Sequence, residues 1–312
     1  MIPIILEDYL SYMKTIKGVS PNTIKEYKYD LQLFFRFLKL RKRLVPADTL
    51  FDEIPIDDLD EAFFEKVRLT DIIAFLTYLD EKRDNTSVTR SRKVAALHSF
   101  FKYLNKVIKV IDEDPSSEIS SPKSHMRQPV YLTLDESFQL LESIDGRNMA
   151  RDYAIITLFL NCGLRISELV SIDTAKIRGD LLTVIGKGNK ERTVYLNEAC
   201  IEAIDGYIAV RPPCDSPALF LSERKNRISV RAVQHMLKKQ LQNAALDSKK
   251  YTPHKLRHTA ATLMYKHGNV DIRALQEILG HASVSTTEIY THIDEERLRT
   301  AVNSNPLANK KK

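Results

Sequence analysis

The sequence predicts a mainly α-helical fold in two domains, the second mostly helical with one small β-hairpin. Three features carry this expectation. Apolar residues recur at helical spacing through the first ~110 residues, between residues that favour helix starts and stops. A Ser- and Pro-rich stretch without periodicity, "DEDPSSEISSPKSHMRQP", then divides the chain. Beyond it, a Gly-rich turn separates two β-rich runs in "DLLTVIGKGNKERTVYL". The expected division is a helical N-terminal domain over 1–112, a linker over 113–130 and a C-terminal domain over 131–312.

Each element has a local reason. In "ILEDYLSYMKTI", Leu6, Tyr9, Leu10, Met13 and Ile16 fall on one helical face, and Gly18 stops the helix. In "SPNTIKEYKYDLQLFFRFLK", Ser20 takes the N-cap and Pro21 the first turn, where its missing N–H leaves no helical bond unmade. Ile24, Tyr27, Leu31, Phe34, Phe35 and Leu38 then form the buried stripe. Thr70 is expected to cap "DIIAFLTYLDEK". A fourth helix, "SVTRSRKVAALHSFFKYL", sets Val94, Leu97, Phe101 and Leu104 against a basic cluster of Arg90, Arg92 and Lys93. That cluster fits a phosphate backbone and an ordinary solvated face about equally. An acidic insert near 47–67, "ADTLFDEIPIDDLDEAFFEK", reads as a solvated loop that would repel a polyanion. After the linker, Thr133 and Glu136 form a capping box at the head of "LTLDESFQLLESI".

Composition narrows the function classes. Hydrophobic content of 43% and charged content of 28% are those of a soluble globular protein. A net charge of +6 and a pI near 9.0 favour a polyanionic partner weakly. Cys162, Cys200 and Cys214 form no CxxC pair and cannot all pair with one another, which fits a reduced cytoplasm and argues against zinc. The start "MIPIILEDYL" lacks the basic region of a signal peptide. The longest apolar run, "YAIITLFLNCGL", is too short to span a membrane.

Chemistry-bearing residues sit in a few short segments of the C-terminal half. "CGLRISEL" presents Arg165 just after Gly163, at a helix–helix junction. "IGKGNKER" places Lys187 in the hairpin turn, without the spacing of a P-loop. "TPHKLRHTAATL" starts with a cap at Thr252 and Pro253, so His254 and Arg257 are helical neighbours at i and i+3. "LGHASVSTTEIYTH" ends a helix at Gly280, exposes His281 beyond it and carries Tyr290 nine positions on. Each residue has an ordinary reading: an ion-paired arginine, a solvated lysine, a capping histidine, a packed tyrosine. Together they form a kit. Two arginines fork onto the non-bridging oxygens of one phosphate. Two imidazoles donate, accept or move protons near neutral pH. A lysine reaches a leaving oxygen, and a tyrosine attacks. The kit suffices for phosphoryl transfer through a covalent intermediate, and no acidic cluster beside it would hold the ions of a two-metal nuclease.

These segments resemble the tyrosine recombinases, the phage-integrase family. Arg165, Lys187, His254, Arg257, His281 and Tyr290 match its six active-site positions in order and spacing, and the closest likeness is to bacterial Xer-type enzymes. The resemblance covers nearly the whole chain, specifically in the C-terminal half and only generally in the N-terminal half. It implies a helical core-binding domain and a catalytic domain that clamp double-stranded DNA. It implies a 3′-phosphotyrosyl intermediate at Tyr290, with Arg165 and Arg257 stabilising phosphoryl charge and His281 bonding one of those oxygens. His254 would help to deprotonate the tyrosine and Lys187 would protonate the leaving 5′-oxygen, with no ATP, metal or other cofactor. The implied use is Xer-like resolution of chromosome or plasmid dimers, or integration and excision of a mobile element. A type IB topoisomerase-like relaxing enzyme and a catalytically silent DNA-binding regulator are the alternatives. The tail "IDEERLRTAVNSNPLANKKK" carries a short apolar stripe. It would dock either on its own domain or on a neighbouring subunit, the latter linking a homo- or hetero-tetramer in the synapse.

Overall fold

The computed structural model describes residues 1–46, 48–120, 130–186, 191–268, 270–280 and 287. The chain parts into two compact units, Met1–Met126 and Arg127–Lys312. Among the described residues no helix is long and apolar enough to cross a membrane.

The first unit is built on α1 (Ile4–Thr15), α2 (Pro21–Arg41), α3 (Glu61–Glu65), α4 (Leu69–Glu81) and α5 (Ser87–Lys106). Ser20 caps α2, its Oγ accepting from the Thr23 N–H at 3.3 Å, and Pro21 opens the first turn as expected. The stripe of α2 buries Leu31, Phe34, Phe35 and Leu38 against Phe75 of α4 and Phe100 and Phe101 of α5. Phe34 meets Phe75 edge-on at 5.0 Å and Phe101 at 6.1 Å, the geometry that aligns the positive edge of one ring with the negative face of the next.

Several local expectations change. Ile16 follows the end of α1 and is exposed rather than on the buried face. Thr70 lies inside the first turn of α4; the cap is Arg68, whose backbone N–H donates to the Asp71 carboxylate at 3.1 Å. The acidic insert is not a solvated loop. Ile54, Ile56, Leu59 and Phe64 go into the core, and Asp58 accepts from the buried Lys39 Nζ at 2.7 Å. Its apolar residues alternate with carboxylates, so the charge count hid a core-facing strip. The head of the expected linker packs on α5. His98 bonds Ser116 Oγ and the Ile119 carbonyl, both at 3.0 Å, and Asn105 donates to the Ile111 and Asp112 carbonyls. Residues 121–129 of that stretch lie outside the described residues.

The basic cluster of α5 also differs from a free cationic face. Lys93 is only 3% exposed, and its Nζ donates to the buried Asp30 at 2.6 Å. Its charge is matched within the unit by Asp30. Arg92 bonds the other Asp30 oxygen at 2.5 Å and pairs with Glu26 at 2.8 Å, while Arg90 pairs with Asp80.

The second unit contains α6 (Leu134–Glu142), α7 (Met149–Cys162), α8 (Ile166–Val170), β1 (Ile177–Arg178), β2 (Leu181–Ile185), β3 (Glu191–Tyr195), α9 (Glu198–Val210), α10 (Val230–Asn243), α11 (Pro253–His267) and α12 (Ile272–Leu279). The fold class is as expected: mainly helical, with a small antiparallel sheet of order β1-β2-β3. The hairpin pairs Leu182 with Val194 and Val184 with Arg192, and its inward residues Leu182, Val184 and Val194 are buried. The short β1 was not foreseen, since two residues leave no alternation to read. The Thr133–Glu136 capping box is present, with Thr133 N–H to Glu136 Oε2 at 2.7 Å and Glu136 N–H to Thr133 Oγ1 at 3.1 Å. Helix α7 is the hub. It is apolar nearly all round and is buried with residues of α9 and α10 and with Leu256 of α11 in one core.

Candidate active site

Two glycines set the backbone of the site. Gly163 ends α7 with φ +58°, and the chain turns into α8, placing Arg165 at its N-cap. Gly280 ends α12 with φ +64°. A Cβ on Gly163 would sit 2.8 Å from Leu279 Cδ2, and one on Gly280 would sit 2.7 Å from Arg192 Cδ. At Gly163 the left-handed backbone is what calls for glycine, and at Gly280 the hydrogen-bonded Arg192 side chain closes the space as well.

Helix α11 starts as the sequence predicts, with Thr252 at the cap and Pro253 in the first turn. It delivers His254 and, one turn on, Arg257. Arg257 is only 3% exposed. Its Nη1 donates to the Gly163 carbonyl and its Nη2 to the Leu279 carbonyl, both at 2.6 Å. Arg165 donates from Nη2 to the Gly280 carbonyl at 3.0 Å and keeps about a third of its side chain exposed, 32%. The two predicted arginines thus arrive from separate helices and converge on adjacent carbonyls at the end of α12. His281, the next residue in the chain, lies outside the described residues, as do Lys187 and Tyr290.

His254 carries an imidazole at the surface, in edge contact with His258 at 4.5 Å between ring centres. Partial burial of the ring lowers its pKa from the ordinary value, and the positive charges of Arg257, Lys255 and Arg165 lower it further. Both effects favour the neutral imidazole, the form that accepts a proton.

Two further residues, neither singled out by the sequence motifs, hold this junction together. Glu168 is 1% exposed and sits among three guanidinium groups. Its Oε2 accepts from the Arg165 backbone N–H at 2.8 Å and from Arg192 Nη2 at 3.0 Å, with Arg257 Nη1 at 3.9 Å. Its Oε1 accepts from Arg165 Nη1 at 2.7 Å. Burial alone would raise its pKa. The Arg165 N–H, the Arg192 charge and the side-chain bonds from both arginines outweigh burial and hold it below the usual carboxylate range. The signal available was an acid three residues into a helix that follows a glycine, the capping-box position. Arg192, on β3, also donates from Nη1 to the Ile278 carbonyl at 2.6 Å. No local pattern marked it; the contact spans residues distant in sequence. The end of α12 is thus held by three arginines on three successive carbonyls: Arg192 on Ile278, Arg257 on Leu279 and Arg165 on Gly280. A helix leaves its last carbonyls without intrahelical donors, which is what makes them available here.

The chain and its fold have clear relatives. The model of the phage integrase family matches residues 130–297, and that of the phage integrase N-terminal SAM-like domain matches residues 6–48. The chain is 59% identical over 309 residues to the tyrosine recombinase XerC of Caldanaerobacter subterraneus subsp. tengcongensis, covering 98% of this chain and 88% of that protein. It is 32% identical over 304 residues to the tyrosine recombinase XerD of Halalkalibacterium halodurans, covering 94% of each. The structure of a XerH site-specific recombinase bound to a palindromic difH substrate in a post-cleavage complex shares the fold, with a TM-score of 0.70 at 22% identity over 96% of this chain and 95% of that one. The chain belongs to the phage integrase family, as a tyrosine recombinase of Xer type.

Proposed function

We propose that the protein is a site-specific recombinase that cuts and rejoins double-stranded DNA through a 3′-phosphotyrosyl intermediate. The Tyr290 oxygen attacks the scissile phosphorus, and the bond to the 5′-oxygen breaks. The phenol proton passes to His254, whose neutral imidazole is suited to take it. Lys187 gives a proton to the departing 5′-oxygen. Arg165 and Arg257 bind the non-bridging oxygens, and His281 bonds one of them. A 5′-hydroxyl from the partner strand then attacks the phosphotyrosine, the proton transfers run in reverse, and Tyr290 is released. The ester conserves the bond energy, so the cycle needs neither ATP nor metal.

The observation that carries this reading is the meeting of Arg165 and Arg257 around Glu168, on the two carbonyls that immediately precede His281. That meeting brings two guanidiniums to adjacent carbonyls at the end of α12, which supports a site for a doubly hydrogen-bonded anion there. The N-terminal unit would serve as the core-binding domain, with most affinity from phosphate contacts. The active assembly would be a homo- or hetero-tetramer joined through the C-terminal tail, in the bacterial cytoplasm where its DNA lies. The same chemistry would serve resolution of chromosome or plasmid dimers or integration and excision of a mobile element.

The test is covalent trapping. The protein is incubated with a nicked library of random duplexes, and DNA attached to it is recovered and sequenced. A single recovered site joined through a 3′-phosphate to Tyr290 supports the proposal. Binding without attachment points to a silent regulator. Attachment with supercoil relaxation but no exchange between duplexes points to a topoisomerase-like activity.

A further inference from the structure

We infer that Arg192 is a positioning residue: it holds the phosphate-binding pair Arg165 and Arg257 in place through Glu168 and the end of α12. The inference rests on the DNA-cleavage reading above.

The geometry supports an indirect role. Arg192 enters from β3, outside the helices that carry the other two arginines. Its side chain is 14% exposed, and both terminal nitrogens are engaged, Nη2 on Glu168 and Nη1 on the Ile278 carbonyl. Little of it is left to meet a substrate. What it touches is what sets the other two. Glu168 orients Arg165 by two bonds, and α12 supplies the Leu279 and Gly280 carbonyls that orient Arg257 and Arg165. Without Arg192, Glu168 loses one of its charged partners and α12 loses the first of its three carbonyl anchors. Gly280 shows how closely the parts fit, since any Cβ there would collide with the Arg192 Cδ and Nε at 2.7 and 2.9 Å. Arg192 is the second residue of β3, so one side chain ties the start of that strand to the arginine site.

A planar guanidinium bridges two acceptors in fixed directions, whereas an ammonium is a point charge. Arg192→Lys therefore keeps the charge beside Glu168 and loses the rigid bridge. The experiment measures covalent-adduct formation in single turnover by wild type, Arg192→Lys, Arg192→Ala and Arg165→Ala. The probe is a nicked duplex of the sequence recovered by trapping. Its scissile phosphate is either normal or a methylphosphonate, in which a methyl group replaces one non-bridging oxygen and removes the charge. For Arg192→Lys the affinity for the duplex is expected to stay within about threefold, because many other phosphate contacts carry it. Cleavage of the normal phosphate is expected to fall roughly 10–100-fold, the scale of a misplaced reacting group. On the methylphosphonate the loss should shrink for Arg192→Lys and Arg192→Ala as it does for Arg165→Ala, because a neutral centre needs less from the guanidiniums.

A brace with no bearing on the phosphate would behave otherwise. It would lower thermal stability and affinity together and give the same rate loss on both substrates; that result overturns the inference. So does an Arg192→Lys protein that cleaves at the wild-type rate. A wild type that forms no adduct on any duplex refutes the cleavage reading itself, and this inference with it.

Discussion

Replacing Glu168 by glutamine removes the one negative charge among three guanidiniums while keeping the shape of the side chain. The carboxylate is 1% exposed and accepts from the Arg165 N–H, Arg165 Nη1 and Arg192 Nη2 at 2.7–3.0 Å. In the variant one oxygen becomes an NH2 group facing donors. Breaking a buried ion pair from one side destabilises by about 3–5 kcal/mol. Arg165 is partly exposed and recovers hydration, so the lower end, about 3 kcal/mol, is expected. For a unit of the size of Arg127–Lys312, that corresponds to a fall in Tm of roughly 6–12 °C. The pH dependence gives a second handle. The pKa of Glu168 is lower folded than unfolded, so its contribution is complete above the unfolded carboxylate value and is lost as pH falls through the folded one. The gap between wild type and Glu168→Gln should be full at neutral pH and should narrow once the pH drops below the ordinary glutamate value of about 4.3. Thermal unfolding of the full chain, followed by circular dichroism across that range, measures both. A gap under about 1 kcal/mol at neutral pH, or one that stays constant into acid, refutes the account of Glu168 as the charge that organises the site.

Other perturbations test the rest. Tyr290→Phe should retain site binding and form no covalent adduct; adducts at the wild-type level in a trapping gel would remove Tyr290 as nucleophile. Lys187→Ala should fail on normal DNA yet cleave a substrate with bridging 5′-sulfur nearly as well as wild type, since a thiolate leaves without a proton; equal defects on both would make Lys187 a binding residue. Cleavage should proceed in EDTA, while affinity measured by band shift should fall steeply with salt, roughly 10³–10⁵ between about 50 and 200 mM if ~6–10 phosphates are contacted. In the first unit, Asp30→Asn strands the buried Lys93 and should cost about 3–5 kcal/mol in chemical unfolding, whereas Asp30→Leu with Lys93→Met should recover most of it. A double variant as unstable as the single one would contradict that.

Legibility in the sequence followed the range of the interactions. The caps at Ser20, Thr133 and Thr252 and the helix ends at Gly163 and Gly280 are set by residues within one turn, and all five are where the sequence places them. Thr70 misled because a good capping residue lies two positions inside a helix whose start is fixed by Asp71. Lys93 misled because its partner Asp30 is on another helix, sixty-three positions away. The acidic insert misled because its charge outweighed its apolar alternation in any compositional reading. In the site, Arg165, His254 and Arg257 were legible from short motifs. Glu168 and Arg192 were in the same quoted stretches and were passed over. A glutamate three residues after an arginine reads as an exposed helical pair, and only the approach of β3 and α12 buries it. Three-dimensional convergence of that kind leaves no periodicity to find.

The C-terminal turn of α12 is the negative pole of a helix, equivalent to roughly half an elementary charge. Its carbonyls accept from the guanidiniums of Arg165 and Arg257. On the proposed function, the helix end stands beside the phosphate as a second, weaker anionic partner of the same guanidiniums. In that reaction a ground-state diester would share these guanidiniums with the carbonyls that orient them, an exchange of anionic partners that gains little. As the phosphorus becomes pentacovalent and its oxygens take on more charge, the same exchange becomes strongly favourable. On that proposal the helix end would discount substrate binding more than transition-state binding, which is the condition for an interaction to raise turnover rather than merely tighten the complex.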